Sequence, residues 1–139
     1  AIAAHEVGHA IQHQQGYAFL RFRTALVPLA NIGSSLSYIV IMAGIFLTAL
    51  GSAFGSTALW IGAGLMSLAV LFSIVTLPVE FDASSRAMKQ ITALNIVNEK
   101  EYKHARKVLS AAAMTYVAAT ATAVAELVRI ILLARASDN

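Results

Sequence analysis

The chain carries no charged residue over a long central stretch. Asp, Glu, Lys and Arg are all absent between Arg23 and Glu80, and two apolar segments, residues 36–54 and 57–77, lie in this gap. Each has about the 20 residues that an α-helix needs to cross the hydrocarbon core of a bilayer. Only a short Ser/Gly turn separates them. The pattern therefore predicts a transmembrane helical hairpin over residues 36–77.

A polar helix is predicted before the hairpin, over residues 1–15. It should end at Gly16, because glycine suits the left-handed position that follows a helix. Residues 17–33 form a connector interrupted by Pro28 and Gly33, and we assign it no structure. The first helix begins without a Ser, Thr, Asp or Asn cap, so we expect a natural amino-terminal part to precede it.

Two further elements are predicted after the hairpin. Pro78 marks a kink or a helix start, and residues 78–108 should form polar helices at the membrane surface. Asn98, followed by Glu101 three residues later, is the pattern of a capping box. Residues 109–134 should form a third hydrophobic helix that either crosses the membrane or packs against the hairpin.

The third hydrophobic helix contains two charged residues, Glu126 and Arg129. Their spacing of three allows an ion pair on one helix face. We favour a structural pair over a proton path, because the spans contain no other ionisable residue. Small side chains recur at every fourth position earlier in this helix, at Ala111, Thr115, Ala119 and Ala123. Such a ridge predicts close packing against another helix.

The composition agrees with a membrane protein. Apolar residues make up 58% of the chain and charged residues 12%, against about 25% charged in ordinary soluble domains. The absence of cysteine excludes disulfides and thiolate zinc sites. No basic stripe interleaved with aromatics occurs, so we expect the lipid bilayer as a partner and no nucleic acid. We read the chain as a single domain of undetermined oligomeric state.

The distribution of basic residues predicts an orientation. Eight of the ten Lys and Arg residues would share one side of the membrane with the first helix: Arg21, Arg23, Arg86, Lys89, Lys100, Lys103, Arg106 and Lys107. The hairpin turn carries none. By the positive-inside rule this side faces the cytoplasm, and we expect a bacterial plasma membrane.

The first helix contains a candidate metal motif, HEVGH. His5 and His9 are four residues apart, so both side chains project from one helix face and can reach a single ion. Glu6 lies beside that face and is the candidate catalytic carboxylate. The simpler alternative is an exposed amphipathic helix with incidental histidines. His13 lies about 12 Å along the axis from His5, too far to share the ion, so we exclude it as a ligand.

A catalytic zinc ion needs a third protein ligand. The candidates are Glu80, Asp82, Glu99, Glu101, His104 and Glu126. Glu80 is favoured because the chain has just returned across the hairpin to the side that carries His5 and His9. The alternative is that Glu80 only complements the dipole at a helix start.

Longer stretches of the sequence resemble known families. HEVGH followed after the hairpin by EFDASSRA resembles the gluzincin membrane proteases of the HtpX-like and prenyl-protein endopeptidase families. The run from AAHEVGHAIQH through LRFRTALVPLANIGS and TLPVEF to ARKVLSAAAMTYVAA is similar to the YugP-like neutral zinc metallopeptidases, over nearly the whole chain. This resemblance implies one zinc ion held by His5, His9 and Glu80, with Glu6 as the catalytic carboxylate. It also implies an amino-terminal part with a further membrane segment.

The sequence departs from the wider gluzincin pattern at one position. That pattern has Asp four residues after the Glu ligand, where this chain has Ser84. Asp82 cannot take the same place, because two residues correspond to about 200° around a helix. Ser84 is therefore the candidate for orienting a zinc histidine.

These observations predict an all-α integral membrane protein that acts as a zinc metalloendopeptidase on membrane proteins or peptides at the cytoplasmic face. A donor to the developing oxyanion is left open among Arg86, Tyr102 and His104. One alternative is a non-catalytic metal-binding or scaffolding membrane protein, which would not need Glu6. A site-2-type intramembrane protease is less favoured because its motif lies within a hydrophobic span, and a small transporter because the spans lack broken helices.

Overall fold

The computed structural model describes all 139 residues and consists of four α-helices without strands. They are α1 (Ile2–Gln14), α2 (Ala18–Ala49), α3 (Phe54–Ala93) and α4 (Glu99–Asp138). The last three are long and apolar enough to cross a membrane. The predicted all-helical class is therefore confirmed.

The first three helices end in the same way. Gly16, Gly51 and Asn95 have φ values of 66°, 76° and 55°, and each is the first left-handed residue after a helix. In all three turns, the N–H of this residue and the N–H that follows it bond back to carbonyls of the last helical turn. These paired bonds define the Schellman motif. Gly16 thus ends α1 as predicted.

The connector and the first span differ from the prediction. Residues 18–33 are helical and belong to α2, with Pro28 inside the helix. Leu20, Leu26 and Ala30 are buried along this stretch, and their packing offsets the hydrogen bond that proline removes. At its other end α2 stops at Ala49 rather than at residue 54, because Gly51 adopts the left-handed conformation.

Helix α3 is longer than the sequence pattern suggested. Pro78 lies inside α3 and does not begin a new helix, since Val75, Val79 and Ala83 are buried on both sides of it. One continuous helix therefore contains both the apolar segment and the polar segment. At the start of α4, the Glu101 N–H donates to Asn98 Oδ1 at 2.9 Å, which confirms the predicted cap.

The chain divides into two compact units. The first comprises Ala1–Thr24 and Ile74–Ala119, and the second Ala25–Ser73 and Thr120–Asn139. The second unit has an apolar core of five buried side chains, which are Ile41, Leu59, Ala63, Ile130 and Ala134. The first unit holds the candidate site described below.

The buried face of α4 is not the predicted small-residue ridge. Ala111, Thr115 and Ala119 are exposed. The buried positions are instead Leu109, Ala113, Thr120, Ile130 and Ala134. Leu109 and Ile130 bury more apolar area than alanine or threonine can, and the small residues that share their helix face are buried with them. The predicted pairing of Glu126 with Arg129 is confirmed, since Nε of Arg129 lies 3.2 Å from both carboxylate oxygens.

Candidate metal centre

Helices α1 and α3 bring three metal-binding side chains together. His5 and His9 project from one face of α1, and Glu80 projects from α3. Nε2 of His5 lies 2.8 Å from Oε2 of Glu80, and Nε2 of His9 lies 3.3 Å from the same oxygen. The potential ligand atoms all fall within 4.8 Å of one another. This is the only group of three or more His, Asp or Glu side chains so arranged in the protein.

A glycine allows α1 to lie close to α3. A Cβ added at Gly8 would lie 2.8 Å from the carbonyl carbon of Ala83 and still closer to its oxygen. Ala83 is fully buried, and its neighbour along the helix face is Glu80, one turn earlier. The contact between Gly8 and Ala83 therefore sets the distance between the two histidines and the carboxylate.

Each histidine has a hydrogen-bond partner on its other ring nitrogen. Nδ1 of His5 lies 2.9 Å from Oγ of Ser84, and Nδ1 of His9 lies 3.0 Å from Oε1 of Gln12. When both Nδ1 atoms carry the proton and donate these bonds, both Nε2 atoms present a free lone pair toward Glu80. The sequence had singled out Ser84 for this role.

Gln12 was missed in the sequence. It is completely buried, and its Nε2 donates to the Val79 carbonyl and to Oδ2 of Asp82, both at 2.8 Å. Its side chain thus connects His9 of α1 to the backbone and a carboxylate of α3. The only signal in the sequence is its position three residues after His9, on the same helix face.

The other oxygen of Glu80 has its own partner. Nη1 of Arg23 donates to Oε1 at 3.0 Å, while Oε2 faces the histidines. Glu80 is 5% exposed, so the guanidinium compensates a buried negative charge. Tyr116, from α4, lines the same small cavity as Glu80. Neither Arg23 nor Tyr116 could be recognised from the sequence, where Arg23 contributed only to the membrane-orientation pattern.

A second ion pair lies next to the centre. Nε of Arg86 donates to Oδ2 of Asp82 at 2.6 Å, and its guanidinium lies 5.4 Å from the Tyr17 ring centroid. Burial would raise the pKa of Asp82, but the hydrogen bonds from Gln12 and Arg86 outweigh it and lower that pKa. The pKa of Tyr17 is raised by burial and by the nearby Asp82 charge. Asp82 is therefore an ionised carboxylate that accepts hydrogen bonds from Gln12 and Arg86.

Glu6 lines a small cavity beside the three grouped side chains. The cavity has a volume of about 180 Å³, and its walls include His5, Glu80, Ser84 and Tyr116. Glu6 itself is exposed and has room to contact a bound molecule. The three residues left open as oxyanion donors, Arg86, Tyr102 and His104, do not line this cavity.

The structure separates the candidate third ligands. Glu80 is grouped with His5 and His9, whereas the other five candidates are not part of the group: Asp82, Glu99, Glu101, His104 and Glu126. His13 is also outside it. The metal-binding group thus has the composition predicted from the sequence, while its assignment as ligands remains a prediction.

The group fits a zinc ion. Ligand atoms at about 2.0–2.1 Å from a tetrahedral zinc are about 3.3 Å apart, close to the 2.8 and 3.3 Å separations between the histidines and Glu80. Two imidazoles and one carboxylate form a donor set found in catalytic zinc sites.

The fold and the grouped side chains together define a class, which is an all-helical chain with membrane-length helices and a His–His–Glu group that could hold a metal ion. Residues 1–135 match the family described as "Putative neutral zinc metallopeptidase", and the chain belongs to this family. It is 40% identical over 133 residues to the "Putative membrane protease YugP" of Bacillus subtilis (strain 168). The match covers 96% of this chain and 56% of the relative, so the chain spans about half of the relative's length. No solved structure matches the chain.

Proposed function

We propose that the chain is the metal-binding part of a membrane-bound zinc metalloendopeptidase. The observation that carries the proposal is the grouping of His5, His9 and Glu80, with the Nδ1 atoms of both histidines hydrogen-bonded. Family membership and the similarity to a protein named as a membrane protease support the same activity.

His5, His9 and Glu80 would hold the ion. Bound there, zinc supplies Lewis acidity, which lowers the pKa of a coordinated water toward about 7 and polarises a peptide carbonyl. Glu6, exposed beside the group, accepts the proton of the attacking water and passes it to the leaving amine. Tyr116 lines the same cavity, and its hydroxyl is a donor available to the carbonyl oxygen as negative charge develops.

The membrane orientation of the site follows from charge. All eight basic residues that define the predicted cytoplasmic side belong to the first unit, which also contains the metal centre. By the positive-inside rule, the centre would lie at the cytoplasmic face of the membrane, which we expect to be a bacterial plasma membrane. Substrates would be membrane proteins or peptides presented there. Labelling of single cysteines next to Arg23 from the outside of intact cells would contradict this orientation.

Replacement of the catalytic carboxylate tests the activity. In the full-length protein, Glu6→Gln should abolish cleavage of a peptide or membrane-protein substrate while the bound zinc is retained. Glu99→Gln, an exposed carboxylate outside the group, is the matched control and should cleave normally. Unchanged cleavage by Glu6→Gln would instead indicate a metal-binding membrane protein in which this site is not catalytic.

Metal analysis tests the ligand set. Glu80→Ala should lower zinc content, because it removes one of three protein ligands, whereas Glu99→Ala should retain the ion, since Glu99 is exposed and lies outside the group. Full zinc retention in Glu80→Ala would remove Glu80 as the third ligand.

A further inference from the structure

A larger cavity of about 910 Å³ adjoins the metal centre along α3 and α4. We propose that this cavity, called here the outer groove, binds an acidic side chain of the substrate, about three residues from the scissile bond. The inference rests on the proposed peptidase function and adds a substrate class to it.

The outer groove is continuous with the metal-site cavity. Ser84, Leu109 and Ala113 line both of them. Ser84 is also the residue whose hydroxyl contacts His5, so the two cavities meet at the metal centre. A peptide bound with its scissile bond beside Glu6 would extend directly into the outer groove.

The charge in the outer groove has one sign. Its charged lining residues are Lys89 and Arg106, and no Asp or Glu contributes to its walls. The five ion pairs of the protein do not include Arg106. Glu99 lies in a neighbouring cavity that Arg106 also lines, yet it forms no ion pair with it. Arg106 and Lys89 therefore offer positive charge to an incoming carboxylate.

Apolar residues line the groove beside these two charges. Phe81, Met88 and Met114 contribute to its walls together with Leu109. A groove of this kind suits a peptide segment with apolar residues next to the scissile bond and an acidic residue farther along. An acidic group alone, such as a free phosphate, would leave the apolar walls uncovered.

Helix geometry gives the position of the acidic residue. Arg106 precedes Ala113 by seven residues, or about 10 Å along the axis of α4. An extended peptide covers about 3.3 Å per residue, so Arg106 lies about three residues from the point where the two cavities meet. The experiment tests acidic residues on both the amino and the carboxyl side of the scissile bond.

Binding and cleavage of matched peptides test the proposal in the full-length protein. Quenched fluorescent peptides carry Glu, Gln or Lys at one position at a time, up to four residues on either side of the scissile bond. Peptide affinity is measured on the Glu6→Gln protein, so that this measurement does not depend on cleavage. The kcat/KM is measured on the protein that retains Glu6. We expect Glu to be preferred over Lys by about five- to thirty-fold at the third position on one side.

Charge reversal identifies the residue responsible. Arg106→Glu should reverse this preference, and Arg106→Gln should weaken it. The control is Lys103→Glu, one turn earlier on α4 and outside the lining of the outer groove, which should retain the preference for Glu. A preference that is absent, or that is unchanged in Arg106→Glu, overturns the proposal, as does a lack of peptide binding.

The two proposals fail in different ways. Cleavage without any acidic preference removes the subsite and leaves the peptidase function standing. If the protein prefers acidic peptides in binding but does not cleave them, the subsite stands and the peptidase function fails. A third possibility is that the outer groove binds an anionic lipid headgroup. The binding assay is therefore repeated in nanodiscs of anionic and of zwitterionic lipid. If anionic lipid abolishes the preference for Glu, the groove is a headgroup site and the peptide subsite is wrong.

Discussion

The guanidinium of Arg23 and the carboxylate of Glu80 meet at 3.0 Å through Oε1, which leaves Oε2 for the two histidines. One oxygen of the buried carboxylate is thus held by a cation from α2, and the other is directed at the metal position. Under the proposed function, Arg23 would act as a positioning residue, because it contacts Glu80 and not the substrate.

Replacing Arg23 should therefore impair catalysis. We expect Arg23→Gln to lower kcat/KM by about 10- to 100-fold at saturating zinc, the range found when partners of metal ligands are removed. Arg23→Lys should restore part of the activity, because it keeps the charge but not the planar donor geometry. Arg21→Gln, an exposed arginine without an ion pair, is the control. Equal activity in the Arg21→Gln and Arg23→Gln variants would contradict the positioning of Glu80 by Arg23.

The two Nδ1 partners should differ in their effect on stability. Ser84→Ala removes one hydrogen bond to His5, whereas Gln12→Ala removes one to His9 and two more, to the Val79 carbonyl and to Asp82. We expect both to reduce zinc affinity by about 10- to 100-fold. Thermal unfolding should show an added loss of about 1–3 kcal/mol for Gln12→Ala. Gln14→Ala, exposed on the same helix, should change neither property.

The close approach of α1 and α3 predicts a steric effect. Gly8→Ala places a methyl group against the Ala83 backbone, so α1 must move away from α3. We expect a destabilisation of about 1–3 kcal/mol together with weaker zinc binding. Gly64→Ala is the matched control, because an added Cβ there contacts nothing and alanine favours the helix. Thermal unfolding and zinc content of the two variants check the prediction, which fails if both glycines tolerate alanine.

Replacing Tyr116 should affect turnover of the substrate without affecting zinc binding. Tyr116→Phe removes a hydroxyl beside Glu6 and Glu80 but no metal ligand, so zinc content should stay constant. The kcat should fall by about 100- to 1000-fold if the hydroxyl stabilises the oxyanion. Tyr102→Phe, whose ring lines the outer groove rather than the metal-site cavity, should keep its kcat. A normal kcat in Tyr116→Phe would exclude stabilisation of the oxyanion by the Tyr116 hydroxyl.

The sequence predicted those parts of the structure that depend on local patterns. The apolar runs indicated the helices of the hairpin, Asn98 and Glu101 indicated a cap, and the spacing of His5 and His9 indicated a shared face. The return of the chain after two crossings indicated Glu80. Each of these inferences needs only the helical period or the thickness of a bilayer.

The remaining features depend on packing between distant segments. The helical conformation of residues 18–33 overrides Pro28 because buried side chains stabilise it. The exposure of Ala111 and Thr115 shows that a periodic ridge does not by itself determine which face of a helix is buried. Arg23, Gln12 and Tyr116 have no distinctive local pattern, since each acts on a residue from another helix.

The hydrogen bonds around the metal centre also bear on the order of events during synthesis. They join residues far apart in the chain: 57 positions for Arg23 with Glu80, 67 for Gln12 with Val79, and 79 for His5 with Ser84. The intervening chain includes Ala25–Ser73, nearly all of it helical. When the HEVGH segment has been synthesised, only His5 and His9 are present, and Glu80 is still missing. The group of His5, His9 and Glu80 can therefore form only after α3 has been synthesised, and any activity that depends on this group would have to wait for the second crossing of the hairpin.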